Sequence, residues 1–136
     1  MIKLIVGTKG TGKTKTLIDM ARKAAEESKG NVVCVEKGDK LAHELPNAVR
    51  LVNSEEYDIR GFANLYGFLA GFLAGNYDIT HIFIDSLTKI VGGECDNETE
   101  KFLDWLNNFG EQHNIKFTIT ISDDESLAPE GVKKYF

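Results

Sequence analysis

Eight residues near the start of the chain, Gly7-Thr8-Lys9-Gly10-Thr11-Gly12-Lys13-Thr14, constrain the fold more than any other stretch. Glycines at 7, 10 and 12 let a backbone curl tightly enough for successive N–H groups to converge on one point, where Cβ atoms would otherwise clash. An apolar run, Ile2 to Val6, precedes the loop, and residues of helical period follow it. A strand, a glycine loop and a helix N-terminus in that order concentrate backbone donors and partial positive charge, which suits a phosphate group. The architecture that supplies such a junction is an α/β sandwich with a mainly parallel sheet.

The eight residues satisfy the Walker A pattern G-x-x-x-x-G-K-[ST], the signature of a P-loop. Each position then has an expected task. The amides of Thr8, Lys9, Gly10, Thr11, Gly12, Lys13, Thr14 and Lys15 would surround the phosphates of a nucleoside triphosphate. Lys13 would reach the β- and γ-phosphates, and the Thr14 hydroxyl would coordinate Mg²⁺. The second half of such a site is an apolar strand ending in aspartate, and Ile82-Phe83-Ile84-Asp85 supplies one. Asp85 is the expected second Mg²⁺ residue, acting through a water. A carboxylate at a strand end has an ordinary structural reading too, and the Walker A match is what favours the metal role.

Short β-branched runs alternate with helical segments along the rest of the chain. The expected strands are Lys3–Val6, Val32–Val35, Val49–Val52, His81–Ile84 and Lys116–Ile121, about five in all. Helices are expected over Lys13–Lys29 with Gly30 as C-cap, over a short stretch Asp39–Leu45, over Glu98–Gln112 capped by Asp96 or Asn97, and from Pro129. A chain of 136 residues fits one P-loop domain spanning 1–136. A net charge of −5 gives no electrostatic footprint for nucleic acid. Cys34 and Cys95 lack a metal or redox spacing and read as free thiols. His43, His81 and His113 are scattered, so a histidine-held metal is not expected. The first apolar run is too short for a signal-peptide core, and a cytoplasmic location is the expectation.

The segment Arg60–Gly75 is apolar almost all round at helical spacing. At about 15 residues it falls short of the roughly 20 needed for a bilayer span. Ala63, Gly67, Gly71 and Gly75 recur every four residues and would form a ridge of small side chains that admits another backbone. Packing on the sheet and contact between subunits through Phe62–Gly75 both account for it. In the second case Arg50 or Arg60 could reach a neighbour's γ-phosphate.

Asp85-Ser86-Leu87-Thr88, after the apolar strand, resembles the Walker B region of the RecA-like and KaiC-like ATPases. That resemblance implies a RecA-like strand order, with the Phe117 strand between the Lys3 and Ile82 strands. It also implies an acidic residue ending the strand after the P-loop helix that activates the attacking water. Glu36, ending Val32-Val33-Cys34-Val35-Glu36, stands there and is the candidate general base, against the reading of a solvated surface glutamate. Ser122 stands where such proteins carry a polar γ-phosphate sensor. It is equally read as a helix N-cap, with Glu125 completing a capping box. The opening segment Ile2–Thr14, the Walker B region through Ile90, and the ending Phe117–Glu130 also resemble a group of small bacterial P-loop proteins sometimes labelled twitching-motility-type ATPases. Membership implies binding of ATP with Mg²⁺ and no particular pathway or protein partner. Three functions follow as expectations: a slow RecA-like ATPase, a nucleotide-dependent switch or assembly protein without turnover, and a small-molecule kinase.

Overall fold

The computed structural model describes residues 2–8, 10–93, 95–122 and 128–136. Five strands form one sheet in which every pairing is parallel: β1 (Ile2–Gly7), β2 (Asn31–Glu36), β3 (Val49–Asn53), β4 (Ile79–Ile84) and β5 (Lys116–Ser122). The order across the sheet is β1-β5-β4-β2-β3. The strand containing Phe117 therefore lies between β1 and β4, as expected. All five strands point the same way, so their carboxyl ends share one edge of the sheet, the edge at which α/β proteins bind ligands.

Helices cover both faces. One face carries α1 (Lys13–Glu27), whose Leu17, Ile18, Ala21 and Ala24 pack on Val32, Cys34 and Phe83. The other carries α2 (Gly61–Ala74), α3 (Leu87–Val91), α4 (Asn97–His113) and α5 (Glu130–Lys133), with a larger core that includes Val33, Val35, Ile82, Ile84, Ile119 and Ile121. Strand β5 is divided between the two: Phe117, Ile119 and Ile121 join the larger core. Their neighbours Thr118 and Thr120 alternate with them and so point to the α1 side, where both are buried.

Local signals account for most element ends. Asp96 caps α4 through a capping box with Thr99. Asn114 closes the same helix in the left-handed conformation, with its N–H on the Gly110 carbonyl. Helix α1 ends earlier than its periodicity suggests, because the extended Ser28 stops it ahead of Gly30. The short helix expected over Asp39–Leu45 is absent. That segment is a run of turns whose backbone bonds, such as Ala42 N–H to the Asp39 carbonyl and Leu45 N–H to the Leu41 carbonyl, never extend into a helix. Its few apolar residues bury only Leu41, too little to stabilise a short helix.

Helix α2 buries Leu65, Leu69 and Leu73, one per turn along a single stripe. Each such side chain contributes about 1.5–3 kcal/mol of burial. The small residues lie elsewhere: Ala63, Gly67, Gly71 and Gly75 are exposed. A Cβ built on Gly67 or Gly71 would meet nothing within 4 Å among the described residues. Close packing among the described residues is therefore not the reason for Gly67 and Gly71. No helix among the described residues is long and apolar enough to cross a membrane.

Candidate functional site

The turn between β1 and α1 is built on glycine conformations. Gly10 and Gly12 have φ of +88° and +82°, in the region that other residues adopt only at a cost. Gly7 has a different constraint. A Cβ there would lie 2.7 Å from the Thr11 hydroxyl oxygen, which itself donates to the Thr8 carbonyl at 2.8 Å. The loop thus closes on itself across a position where a side chain would force Thr11 to shift.

Lys13 opens α1 but folds back over the loop. Its Nζ donates to the Thr8 carbonyl at 2.7 Å and reaches the Thr11 hydroxyl at 3.4 Å. The residue is buried, and that burial lowers the pKa of its ammonium, a shift countered by the Asp85 carboxylate and reinforced by the Lys89 charge. An anion delivered to the loop would relieve the same penalty.

Asp85 arrives from the far side of the sequence at the carboxyl end of β4. The Thr14 hydroxyl faces both of its oxygens, at 3.3 and 3.4 Å, long enough that the contact is weak. A stronger hold comes from Thr120, whose hydroxyl donates to Asp85 Oδ1 at 2.7 Å while accepting the Ser86 N–H at 2.7 Å. One buried hydroxyl therefore orients the carboxylate and supports the backbone of Ser86, which sits in the left-handed conformation with φ +58°. The Asp85 N–H donates in turn to the Val35 carbonyl. Thr120 was not among the expected site residues. Its signal was the alternation Phe117-Thr118-Ile119-Thr120-Ile121, which sends hydroxyls to the α1 face of a central strand.

Glu36 ends β2 beside β4, and it is buried at 4% exposure, which removes the reading of a solvated surface glutamate. Its Oε2 accepts the Leu41 N–H at 2.8 Å, so the side chain also organises the turns that follow. Burial raises its pKa; the bond from Leu41 opposes that shift, and the Asp85 charge adds to it. Ser122 pairs with Gly7 in register and so ends its strand beside the start of the loop. Glu125, named for its capping box, and Lys9 lie outside the described residues. Thr8 and Lys15 are exposed at the loop and the first turn of α1.

Other expected residues fall away from this cluster. Arg50 lies near the amino end of β3, opposite Val33, whereas Arg60 precedes α2 on the carboxyl side. His81 bonds to Thr80 through Nδ1 at 2.9 Å near the amino end of β4. It borders a cavity of about 620 Å³ with Lys3, Met20 and Lys116, at the edge of the sheet opposite the loop. Both cysteines are buried, and burial pushes the Cys34 thiol well up. No group of three or more His, Cys, Asp or Glu side chains suited to a metal exists among the described residues.

A site with these parts can cradle an anion on backbone amides and hold a divalent cation between one hydroxyl and one carboxylate. Those two groups are hard oxygen donors, and so few of them suit Mg²⁺, which keeps several waters and takes further oxygens from phosphates. A scan against protein-family models matches none to this chain, and a search of curated proteins returns no match either.

Proposed function

We propose that the chain binds ATP with Mg²⁺ through the Gly7–Thr14 P-loop and hydrolyses it slowly, as a RecA-like ATPase domain does. The observation that carries this reading is the meeting of the Thr14 hydroxyl, the Lys13 ammonium and the Asp85 carboxylate around one glycine loop, although 71 residues separate Thr14 from Asp85. In this reading the loop amides and Lys13 neutralise the triphosphate, the largest part of catalysis in phosphoryl transfer. Thr14 and Asp85 would hold Mg²⁺, which supplies charge neutralisation at the β- and γ-phosphates. Thr120 keeps Asp85 aimed. Glu36 would orient water and accept its proton; its raised pKa makes it a better proton acceptor than an exposed glutamate. Ser122, beside Gly7, is the polar group that would sense the γ-phosphate.

One observation favours turnover slow enough to make the protein a nucleotide-dependent switch. The bond from the Leu41 N–H occupies one Glu36 oxygen, and water has to compete for what remains. A second observation supports assembly into a homo-oligomer: the exposed Gly67 and Gly71 on α2 meet no other part of the described chain.

Phosphate release from ATP and from GTP, over a series of protein concentrations, tests the reading with Lys13→Ala as control. Turnover that depends on Lys13 supports an ATPase, and a specific activity that rises with protein concentration supports assembly. Binding of either nucleotide at equal strength with and without Lys13 would overturn the proposal.

A further inference from the structure

Beside the Gly7–Thr14 loop, the carboxyl edge of the sheet holds a second concavity, of about 430 Å³. Its wall carries three cations from three separate places in the chain: Lys37 just beyond β2, Arg60 at the start of α2 and Lys89 on α3. The one acid among them is Glu55. Three cations face one carboxylate on the wall, with Asp58 beside Arg60 as a second acid just outside it, in a chain whose net charge is −5. Gathering like charges costs energy that a bound anion would recover.

The partners of these cations sharpen the point. The side chains of Lys37 and Lys89 form no hydrogen bond or ion pair among the described residues. Arg60 meets Asp58 at 3.6 Å, but both side chains are 85% exposed, and an ion pair in that setting is worth little. The Lys89 charge also disfavours the Lys13 ammonium, so the positive charge of this wall is felt at the glycine loop.

The walls are held in place by hydrogen bonds between loops. Asn53 Oδ1 accepts both the Gly38 N–H at 2.8 Å and the Glu55 N–H at 3.0 Å, tying the segment after β2 to the one after β3. Ser54 N–H donates to the Glu36 carbonyl at 2.7 Å, and Ile59 N–H to the Ser54 carbonyl at 3.0 Å. Buried Ile59 and Ile90 add an apolar lining. A volume of this size, partly apolar with a few convergent polar groups, is that of a small-molecule site.

We propose that this cavity binds a small molecule carrying two or more phosphate or carboxylate groups, at a site separate from the glycine loop. The Arg60 guanidinium offers a planar fork for one such group, and Lys37 and Lys89 supply point charges for the other. Glu55 and backbone groups lining the cavity would meet the ligand's hydroxyls or amines. The proposal stands whether or not the loop takes a nucleotide.

Amide NMR titration of the full chain tests it, with citrate as the carboxylate probe and inorganic pyrophosphate as the phosphate probe. Wild type, Lys13→Ala and the double variant Lys37→Ala/Arg60→Ala are compared. The amides of Gly10, Gly12 and Thr14 report on the loop, and those of Ser54, Glu55 and Gly92 on the cavity. The expected result is a saturable shift of the cavity amides with at least one probe, retained in Lys13→Ala and weakened about tenfold or more in the double variant. Whichever probe acts identifies the ligand's charged group. Lys37→Arg/Arg60→Lys, which keeps the charge, should bind nearer to wild type than the alanine pair. Cavity amides that stay still with both probes would overturn the proposal. So would shifts that are unchanged in the alanine pair or that vanish with Lys13→Ala.

Discussion

Replacing Thr120 with valine keeps the shape of a buried side chain and removes one oxygen atom. That oxygen makes two short bonds, donating to Asp85 Oδ1 and accepting from the Ser86 N–H, each at 2.7 Å. Thr120 is 1% exposed and Asp85 7%, so water cannot readily replace either bond. A hydrogen bond to a charged group contributes about 1.5–3 kcal/mol, and a buried N–H left unpaired costs about 1–3 kcal/mol. The two losses share one atom and are not fully additive, so a destabilisation of about 3 kcal/mol is expected. Out of the roughly 5–15 kcal/mol that holds a domain folded, this is a large share. It corresponds to a fall in Tm of roughly 10 °C. Thr120→Ser retains the hydroxyl and loses one methyl group, for about 1 kcal/mol. Urea denaturation of the three proteins measures both values. If nucleotide binds as proposed, Thr120→Val should also raise the Mg²⁺ concentration needed for binding, because Asp85 loses the bond that aims it. A valine variant within 1 kcal/mol of wild type, or a serine variant as unstable as the valine one, would refute the assignment of the carboxylate's orientation to that hydroxyl.

Glu36→Gln should raise Tm at pH 8. Burial raises the Glu36 pKa above its ordinary 4.5, so folding favours the protonated acid; its contribution is most favourable below that value and is lost as pH climbs through the raised one. Thermal melts from pH 4 to 8 should therefore show wild type losing ground to the variant as pH increases, and parallel curves would contradict this. Gly7→Ala forces a Cβ to within 2.7 Å of the Thr11 hydroxyl oxygen and should cost about 1–3 kcal/mol. Adding Thr11→Ala removes that oxygen and should restore part of the loss in denaturation. Leu69→Ala, in the middle of the buried stripe of α2, should cost about 2–5 kcal/mol in the same assay.

The strand-loop-helix junction was legible in residues alone, because a parallel sheet, a glycine-built turn and a helix N-terminus each depend on short-range chemistry. The same holds for Asp85 at a strand end, for the Asp96 cap of α4, and for the five strands. The turns at Asp39–Leu45 were misread as helix because periodicity over so few residues does not reveal how little they bury.

What only the tertiary structure decided depends on groups far apart in sequence. By sequence Glu36 could be a general base or a solvated glutamate beside Lys37, and it is buried because β4 and the following turns close over it. Thr120 reads as one hydroxyl in an alternating strand, and becomes the anchor of Asp85 only because β5 lies between β1 and β4. The cations Lys37, Arg60 and Lys89 show no pattern in the chain and meet in one cavity, since the parallel strands bring all their carboxyl ends to the same edge. Sequence determined which local chemistry each segment could perform. The crossover order of the sheet determined which of those segments perform it together, because contact between distant residues is set by packing and not by spacing.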